Sequence, residues 1–280
     1  MNILVINILA VVICLVIGYF FGSIPTAVWV GKIFFHQDPR DYGSHNAGGT
    51  NAGRLWGKKV GFIIICLDML KTVVPMYLVC VLLTFIKWDY SNISGLGEVP
   101  FNLVSSGAIK AGRGLCATVL DYYRVVDGVR LNSYYAIQWP VYYIVVVGTM
   151  IGHCWPIFAK FKGGKAASQF MGITVLSSWM LGFLPGFFYL GTLKWKKYVS
   201  LSAILQAAFV STITWIWVIL VLTVPAIRNI CWLPMYGPLL NPDITYACTV
   251  TFIGAVMIAR HHENIKRIRE GTERKITWMK

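Results

Sequence analysis

Long apolar runs alternate with short polar islands along this chain, and the alternation predicts a bundle of membrane-spanning helices. Residues 1–31 are apolar up to Lys32, the first charged position, and further apolar runs cover 60–86, 139–158, 198–227 and 244–259. Crossing the hydrocarbon core takes about 20 apolar residues in a helix, and runs of this order read as spans. Residues 169–193 are apolar but interrupted by Gly172, Gly182, Pro185 and Gly186. They are too short for two full crossings and read as a hairpin of two short or tilted helices, tolerable where neighbours cover the freed backbone. With the hairpin counted as two, the expected fold is an all-α polytopic membrane protein of about seven transmembrane helices, one domain over residues 1–280. The first run lacks the basic start and short apolar core ahead of a cleavage site that mark a signal peptide, so it is expected to be a retained helix.

Residues 87–138 break the pattern. They are rich in Ser, Asn, Gly, Asp and Tyr, hold no run long enough to cross, and form a polar insertion over 88–138. Composition agrees with the span reading: mean hydropathy is +0.64, 57% of residues are hydrophobic and only 13% charged, about half the charged share of a soluble domain. The net charge of +14 sits beside apolar spans rather than along a soluble basic face, so it points to an anionic membrane surface or an anionic substrate, not to nucleic acid. Placing spans in order puts eighteen Lys and Arg on one face and six on the other. The lysine–arginine rule then sets the polar islands and the C-terminal tail in the cytoplasm, and the N-terminus and the insertion outside. Seven scattered cysteines without a C-x-x-C pair argue against a disulfide framework and against zinc.

Chemistry concentrates in three of the cytoplasmic segments. The first, residues 38–59, reads DPRDYGSHNAGGTNAGRLWGKK. Its glycines let backbone N–H groups converge, a concavity suited to phosphate, and Ser44, Asn46, Thr50, Asn51 and Arg54 surround them. The second, AKFKGGKAAS at 159–168, offers Lys160, Lys162 and Lys165 around Gly163-Gly164. The third, RHHENIKR at 260–267, would place His261 and Asn264 three apart on one face if helical. Such a set binds phosphate esters and contains no nucleophile–base–carboxylate triad.

Sharper motifs fail on spacing. The stretch at 53–58 is one residue short of a Walker loop, and the GGK at 163–165 is followed by Ala166 and lacks the first glycine. His36 and Asp41 have the His-x4-Asp spacing of soluble glycerol-phosphate acyltransferases, a rival reading that requires His36 for activity. Asp68 and Lys71, charged inside a span, are either functional or an interfacial ion pair with a snorkelling lysine; if functional they suggest a transporter or flippase for an organic phosphate, although no inverted repeat is visible. His153 either heads the second island or is an interfacial histidine.

Five ordered stretches resemble one family. GSIP at 22–25, D-x-R at 38–40 and GSHNAGGTNAGR at 43–54 look like the first signature of the bacterial acyl-phosphate-dependent glycerol-3-phosphate acyltransferases. Asp68-x-x-Lys71, GHCWPIFAKFKGGKAAS, WKKYVSLSAI and RHHENIKRIREGTERK resemble the others. The resemblance implies seven membrane helices in the bacterial plasma membrane, cytoplasmic catalysis, and neither metal nor cofactor. It implies acyl transfer from acyl phosphate to the 1-hydroxyl of glycerol 3-phosphate, with a substrate phosphate as base. By position, Ser44, Asn46, Thr50, Asn51 and Arg54 would hold the donor's phosphate; Lys165 with Gly163 and Gly164 would bind phosphate, and His261 and Asn264 would complete the glycerol-phosphate side. Ser44, Arg54, Lys165 and His261 are the expected catalytic set. Four departures stand out: His45 and Ala166 replace glycines, Ala203 replaces a serine, and the insertion is extra.

Overall fold

The computed structural model describes residues 3–85, 125–126, 129–130, 141–177, 179–224 and 244–276. Its helices are α1 Ile3–Gly22, α2 Thr26–Phe34, α3 Gly49–Trp56, α4 Lys58–Phe85, α5 Val141–Cys154, α6 Ala167–Ser177, α7 Trp179–Lys196, α8 Val199–Thr223, α9 Ile244–Arg260 and α10 His262–Arg269. Val125–Val126 pairs antiparallel with Val129–Arg130. The rest of the 88–138 insertion, and all of the loop expected at 228–243, fall outside the described residues.

The first run is two helices, not one. Pro25 has no N–H to continue the ladder and pushes Ile24 out of helical backbone, so α1 ends at Gly22 and α2 begins at Thr26. The break is clamped from α4. Lys71 donates to the Ile24 carbonyl at 2.8 Å, and the Thr26 hydroxyl donates to Asp68 at 2.9 Å. Asp68 and Lys71 pair at 2.8 Å with both side chains buried. The ion pair is present but not at an interface: the lysine does not snorkel and closes the pair inside the bundle, where leaving either charge alone would be costly.

α1 lies backbone to backbone on α5. A Cβ on Gly18 or Gly22 would come within 2.1 Å of the Val145 or Thr149 carbonyl, and one on Gly148 or Gly152 within 2.3 or 2.2 Å of α1 carbonyls. Each helix carries the small-x-x-x-small spacing that permits such approach in a membrane. A central core of Tyr143, Met150, Phe170, Ile173, Val250, Ile253 and Met257 joins α5, α6 and α9, with Ala207 and Val210 from α8. Outward, Val12, Val16 and Phe20 on α1, Ile63, Leu67, Leu70 and Val74 on α4, and Ile216 and Ile219 on α8 are exposed, a surface fit for lipid rather than water. Among the described residues, Leu4–Phe34, Lys58–Val79 and Val199–Leu220 are long and apolar enough to cross a membrane, and Tyr143–Ala159 and Tyr246–Arg260 are shorter apolar helices. Phe170 near the start of α6 and Tyr189 in the second half of α7 wall one cavity, so the chain reverses between these two helices; the reversal falls between Ser177 and Trp179, and the expected breakers Gly182, Pro185 and Gly186 lie inside α7 instead.

Candidate active site

The three polar segments come together at one end of the bundle. They enclose a cleft of about 190 Å³ whose walls include Ser44, Asn46, Thr50, Asn51, Arg54, Lys165 and Asn264. These are seven of the ten residues singled out from the sequence; Gly163, Gly164 and His261 stand apart. The cleft also takes Ser200 from the first turn of α8, and Arg267, Glu273 and Arg274 from α10 and the turn beyond it.

The first loop is organised by one side chain. The Asn51 amide nitrogen donates to the carbonyls of Pro39 (2.7 Å), Tyr42 (3.1 Å) and Asn46 (3.1 Å), and its oxygen accepts from the Ser44 N–H at 2.9 Å. Asn51 is buried; it touches the cleft, but its amide is committed to shaping the loop rather than free for a substrate. With carbonyls that must be paired in a closed turn, this fixes the Ser44 and Asn46 positions. Arg54, one turn further along α3, reaches the rim.

The second loop is shaped by packing. The Gly164 N–H donates to the His153 carbonyl at 3.0 Å. A Cβ on Gly163 would sit 2.0 Å from that carbonyl oxygen, and one on Gly164 2.0 Å from the His153 Nε2. The two glycines are therefore needed for close approach to α5, and the expected phosphate nest is not what they form: neither lines the cleft. Lys165 does. His153 is buried at the end of α5, and its Nδ1 lies 3.9 Å from Asp68. The ring beneath the loop that aims Lys165 thus lies beside the buried ion pair that clamps the α1–α2 break.

The third segment is helical, but the chain turns at His261 between α9 and α10. His261 is buried, with Nδ1 against the Met257 carbonyl at 2.7 Å. Burial, then the cation of Lys165, hold its pKa at about 4, although the Met257 carbonyl and Glu273 pull the other way. It is a neutral ring behind the wall, not on it. Asn264 faces the cleft and accepts from Lys165.

Glu273 gathers the far wall. The turn through Gly271, at φ +71°, brings it back, and its carboxylate accepts from Ser200 (2.7 Å), Asn264 (2.7 Å) and Arg267 (2.8 Å). Burial raises its pKa, but these three donors outweigh burial and hold it below the usual carboxylate value. Lys165 is pushed down to about 8, first by burial and then by Arg267, Arg260 and Arg54, against the pull of Glu273. Ser200 and Glu273 were in the matched stretches WKKYVSLSAI and RHHENIKRIREGTERK, but nothing in either stretch alone says that they meet. A second, largely apolar cavity of about 100 Å³, with Ile65, Phe170, Met171, Ala203 and Met257 in its walls, shares Asn46, Thr50, Lys165 and Val199 with the cleft.

A polar, cationic cleft beside an apolar cavity is the setting in which the sequence relationship decides the matter. Residues 12–271 match the family model described as glycerol-3-phosphate acyltransferase. The chain belongs to that family. A glycerol-3-phosphate acyltransferase of Enterococcus faecalis is 32% identical over 96% of this chain and 93% of its own length, and one of Streptococcus gordonii 28% identical over 94% and 92%. The fold is shared with a crystal structure of PlsY, an integral membrane glycerol 3-phosphate acyltransferase in its glycerol 3-phosphate form, at TM-score 0.60, 23% identity and coverage of 95% of this chain and 96% of that one. As a member of this acyltransferase family the chain is an integral membrane enzyme. His36, the base required by the soluble-enzyme alternative, does not line the cleft.

Three family departures have a visible structural setting. His45 and Ala166, which replace glycines of the signatures, both have left-handed backbone, at φ +54° and +62°. Ala203, which replaces a serine, lies on the apolar cavity.

Proposed function

We propose that this protein transfers an acyl group from acyl phosphate to the 1-hydroxyl of sn-glycerol 3-phosphate, giving 1-acylglycerol 3-phosphate and inorganic phosphate, the first step towards phosphatidic acid. One observation carries the reading: four cations, Arg54, Lys165, Arg267 and Arg274, share a cleft that adjoins an apolar cavity, with Asn46, Thr50, Lys165 and Val199 lining both. Two phosphates brought together need that much positive charge, and an acyl chain needs the apolar cavity beside it.

In this scheme Ser44, Asn46, Thr50 and Arg54 hold the donor's phosphate, while Lys165, Asn264, Ser200 and Arg267 hold glycerol 3-phosphate. The 1-hydroxyl oxygen attacks the acyl carbonyl carbon, the bond from that carbon to the bridging oxygen breaks, and phosphate leaves with the electron pair. The hydroxyl proton passes to a substrate phosphate oxygen. The donor is already activated, so positioning and charge neutralisation supply the acceleration. His261 is assigned a positioning role behind Lys165 and Asn264. We infer seven spans in the bacterial plasma membrane, with the cleft on the cytoplasmic side, and the N-terminus and the 88–138 insertion outside.

The test is the purified protein in lipid, given glycerol 3-phosphate with either acyl phosphate or acyl-CoA, following lysophosphatidic acid and phosphate release together. Stoichiometric appearance of both from acyl phosphate alone is expected. Use of acyl-CoA only would overturn the donor assignment. Uptake of an organic phosphate into vesicles without ester formation would favour the transporter reading instead.

A further inference from the structure

Lys160 and Lys162 belong to the loop that aims Lys165, yet neither lines the catalytic cleft. They wall a separate cavity of about 420 Å³ together with Arg40, Asp41, His45 and Gly163. Arg40 fixes that wall. It pairs with the Asp38 carboxylate through Nε (2.9 Å) and a terminal nitrogen (2.7 Å), and its other terminal nitrogen donates to the carbonyls of Ala159 (2.8 Å) and Lys162 (3.3 Å). The guanidinium charge is answered by Asp38, so the free charge of the cavity is that of the two lysines against Asp41 alone. Lys160 and Phe161 both have left-handed backbone, φ +56° and +58°, a conformation that side chains avoid unless the surroundings enforce it. The reversal it makes places both lysines on the cavity and leaves Phe161 outside it.

The surroundings of this cavity point to lipid. Trp155, Ile157, Phe158 and Phe161 are all exposed. The Phe158 ring lies 6.3 Å from that of Phe20, itself exposed on α1, and the Tyr19 hydroxyl donates to the Trp155 carbonyl at 3.1 Å. The loop therefore continues the exposed apolar surface of a spanning helix and carries both ammonium groups beside it, the composition expected at a headgroup boundary. His45 completes the connection: it is common to this cavity and the catalytic cleft, and its ring nitrogen lies 3.0 Å from the Arg40 carbonyl.

We propose that this cavity docks the terminal phosphate of a single-chain membrane amphiphile, which passes past His45 between the lipid surface and the catalytic cleft. The inference rests on the acyl-transfer reading, in which donor and lipid product are both single-chain phosphates; either could be the occupant.

The full chain in lipid nanodiscs, carrying Lys160→Glu with Lys162→Glu, distinguishes them. If the donor docks here, KM for a long-chain acyl phosphate rises about fivefold to tenfold, the scale of one or two partly exposed ion pairs. KM for glycerol 3-phosphate, KM for a short water-soluble acyl phosphate, and kcat change less than twofold. If the product docks here, the inhibition constant of lysophosphatidic acid rises by that factor instead. Equal shifts for all these anions, or none, would overturn the site. Direct binding needs no turnover and so stands apart from the donor assignment: nanodisc-embedded wild-type protein should bind lysophosphatidic acid more tightly than lysophosphatidylcholine, and the doubly reversed variant should lose that preference in part. An unchanged preference counts against the site even if the donor assignment fails. Lys160→Gln with Lys162→Gln should give the same changes at smaller size, which covers a charge-reversed protein that does not fold.

Discussion

The two loops that deliver cations to the cleft are held by opposite means. The loop before α3 is held from within, by an Asn51 side chain that bonds four backbone groups of its own segment. The loop before α6 is held from outside, by two glycines lying against His153 of a spanning helix. The first depends on a side chain being present, the second on side chains being absent. The two are also tied together, because Arg40 of the first donates to the Ala159 and Lys162 carbonyls of the second; the second packs in addition on His153 of a spanning helix.

The largest losses are expected where each loop ends in its cation. Arg54→Ala and Lys165→Ala each remove a charged partner from a phosphate whose charge must be neutralised in the transition state, a change worth about 10²–10³ in kcat. Steady-state kinetics in lipid, with thermal unfolding as a folding control, tests this. Near-normal turnover in both variants would remove the cleft as the reaction site.

Next come the variants that separate the two kinds of support. Gly163→Ala puts a Cβ 2.0 Å from the His153 carbonyl oxygen, which nothing can trim; a loss of about 100-fold in kcat/KM, roughly 2.7 kcal/mol, is expected. In Gly164→Ala the nearest atoms to the new Cβ belong to the imidazole ring of His153, not to backbone. Its defect should be partly relieved when His153→Ala is added, while Gly163→Ala with His153→Ala should stay as poor as Gly163→Ala alone. Equal rescue of both would mean that the ring does not set the loop.

Asn51→Ala attacks the other loop and should cost about 2–4 kcal/mol of stability, because it strands several loop carbonyls and the Ser44 N–H. Its kcat/KM should fall about tenfold to thirtyfold on the same scale of free energy. Asn51→Asp keeps the acceptor for Ser44 but sets a carboxylate against three carbonyls, and is expected to be no better than alanine. An active, stable Asn51→Asp would show that the loop is held by something else.

A titration separates the delivered cations. Lys165 needs its proton to bind phosphate, and its pKa is about 8 against the usual 10.5. In the free enzyme, kcat/KM should be level below that pH and fall about tenfold per unit above it. The stability effect has the opposite sign: between the folded and unfolded pKa values the unfolded chain binds more protons, so stability contributed by this group rises with pH while activity falls. Lys165→Arg should move the alkaline limb upward beyond the measurable range; a limb left in place would assign it to another group.

How far the sequence anticipates these arrangements varies with the range of the interaction. The spans, the hairpin, and the meeting of three islands follow from apolar runs and small polar donors near one another in the chain. The break at Pro25 does not emerge from average hydropathy, although the proline itself is plain. The pair Gly163-Gly164 looks like a phosphate nest until His153, ten residues earlier, is seen beneath it. The expectation for His261 assumed an unbroken helix; the chain turns there, and the ring faces Met257 instead of the cleft. The joining of Ser200 to Glu273 spans 73 residues; the turn at Gly271 after a basic last helical turn is locally legible, but no local pattern says that it carries Glu273 to Ser200.

The smallest effect tests a feature the two loops share. Each carries a side chain where the backbone is left-handed, His45 in the first and Ala166 in the second, and a Cβ in that conformation costs roughly 1–2 kcal/mol. Glycine removes that cost but gives the unfolded chain more freedom, worth about 0.5–1 kcal/mol in the other direction. The net gain for His45→Gly or Ala166→Gly is thus about 0–1.5 kcal/mol, a rise in Tm of no more than about 6 °C for a chain of this size. The effect on turnover should differ between the loops. Ala166 is buried beside Lys165, so Ala166→Gly is expected to change activity less than threefold. His45 is exposed and stands between the cleft and the lysine-lined cavity, so His45→Gly should alter KM for a long-chain acyl phosphate without altering KM for glycerol 3-phosphate. A fall in Tm for both would show that these residues are held by contacts stronger than the backbone cost.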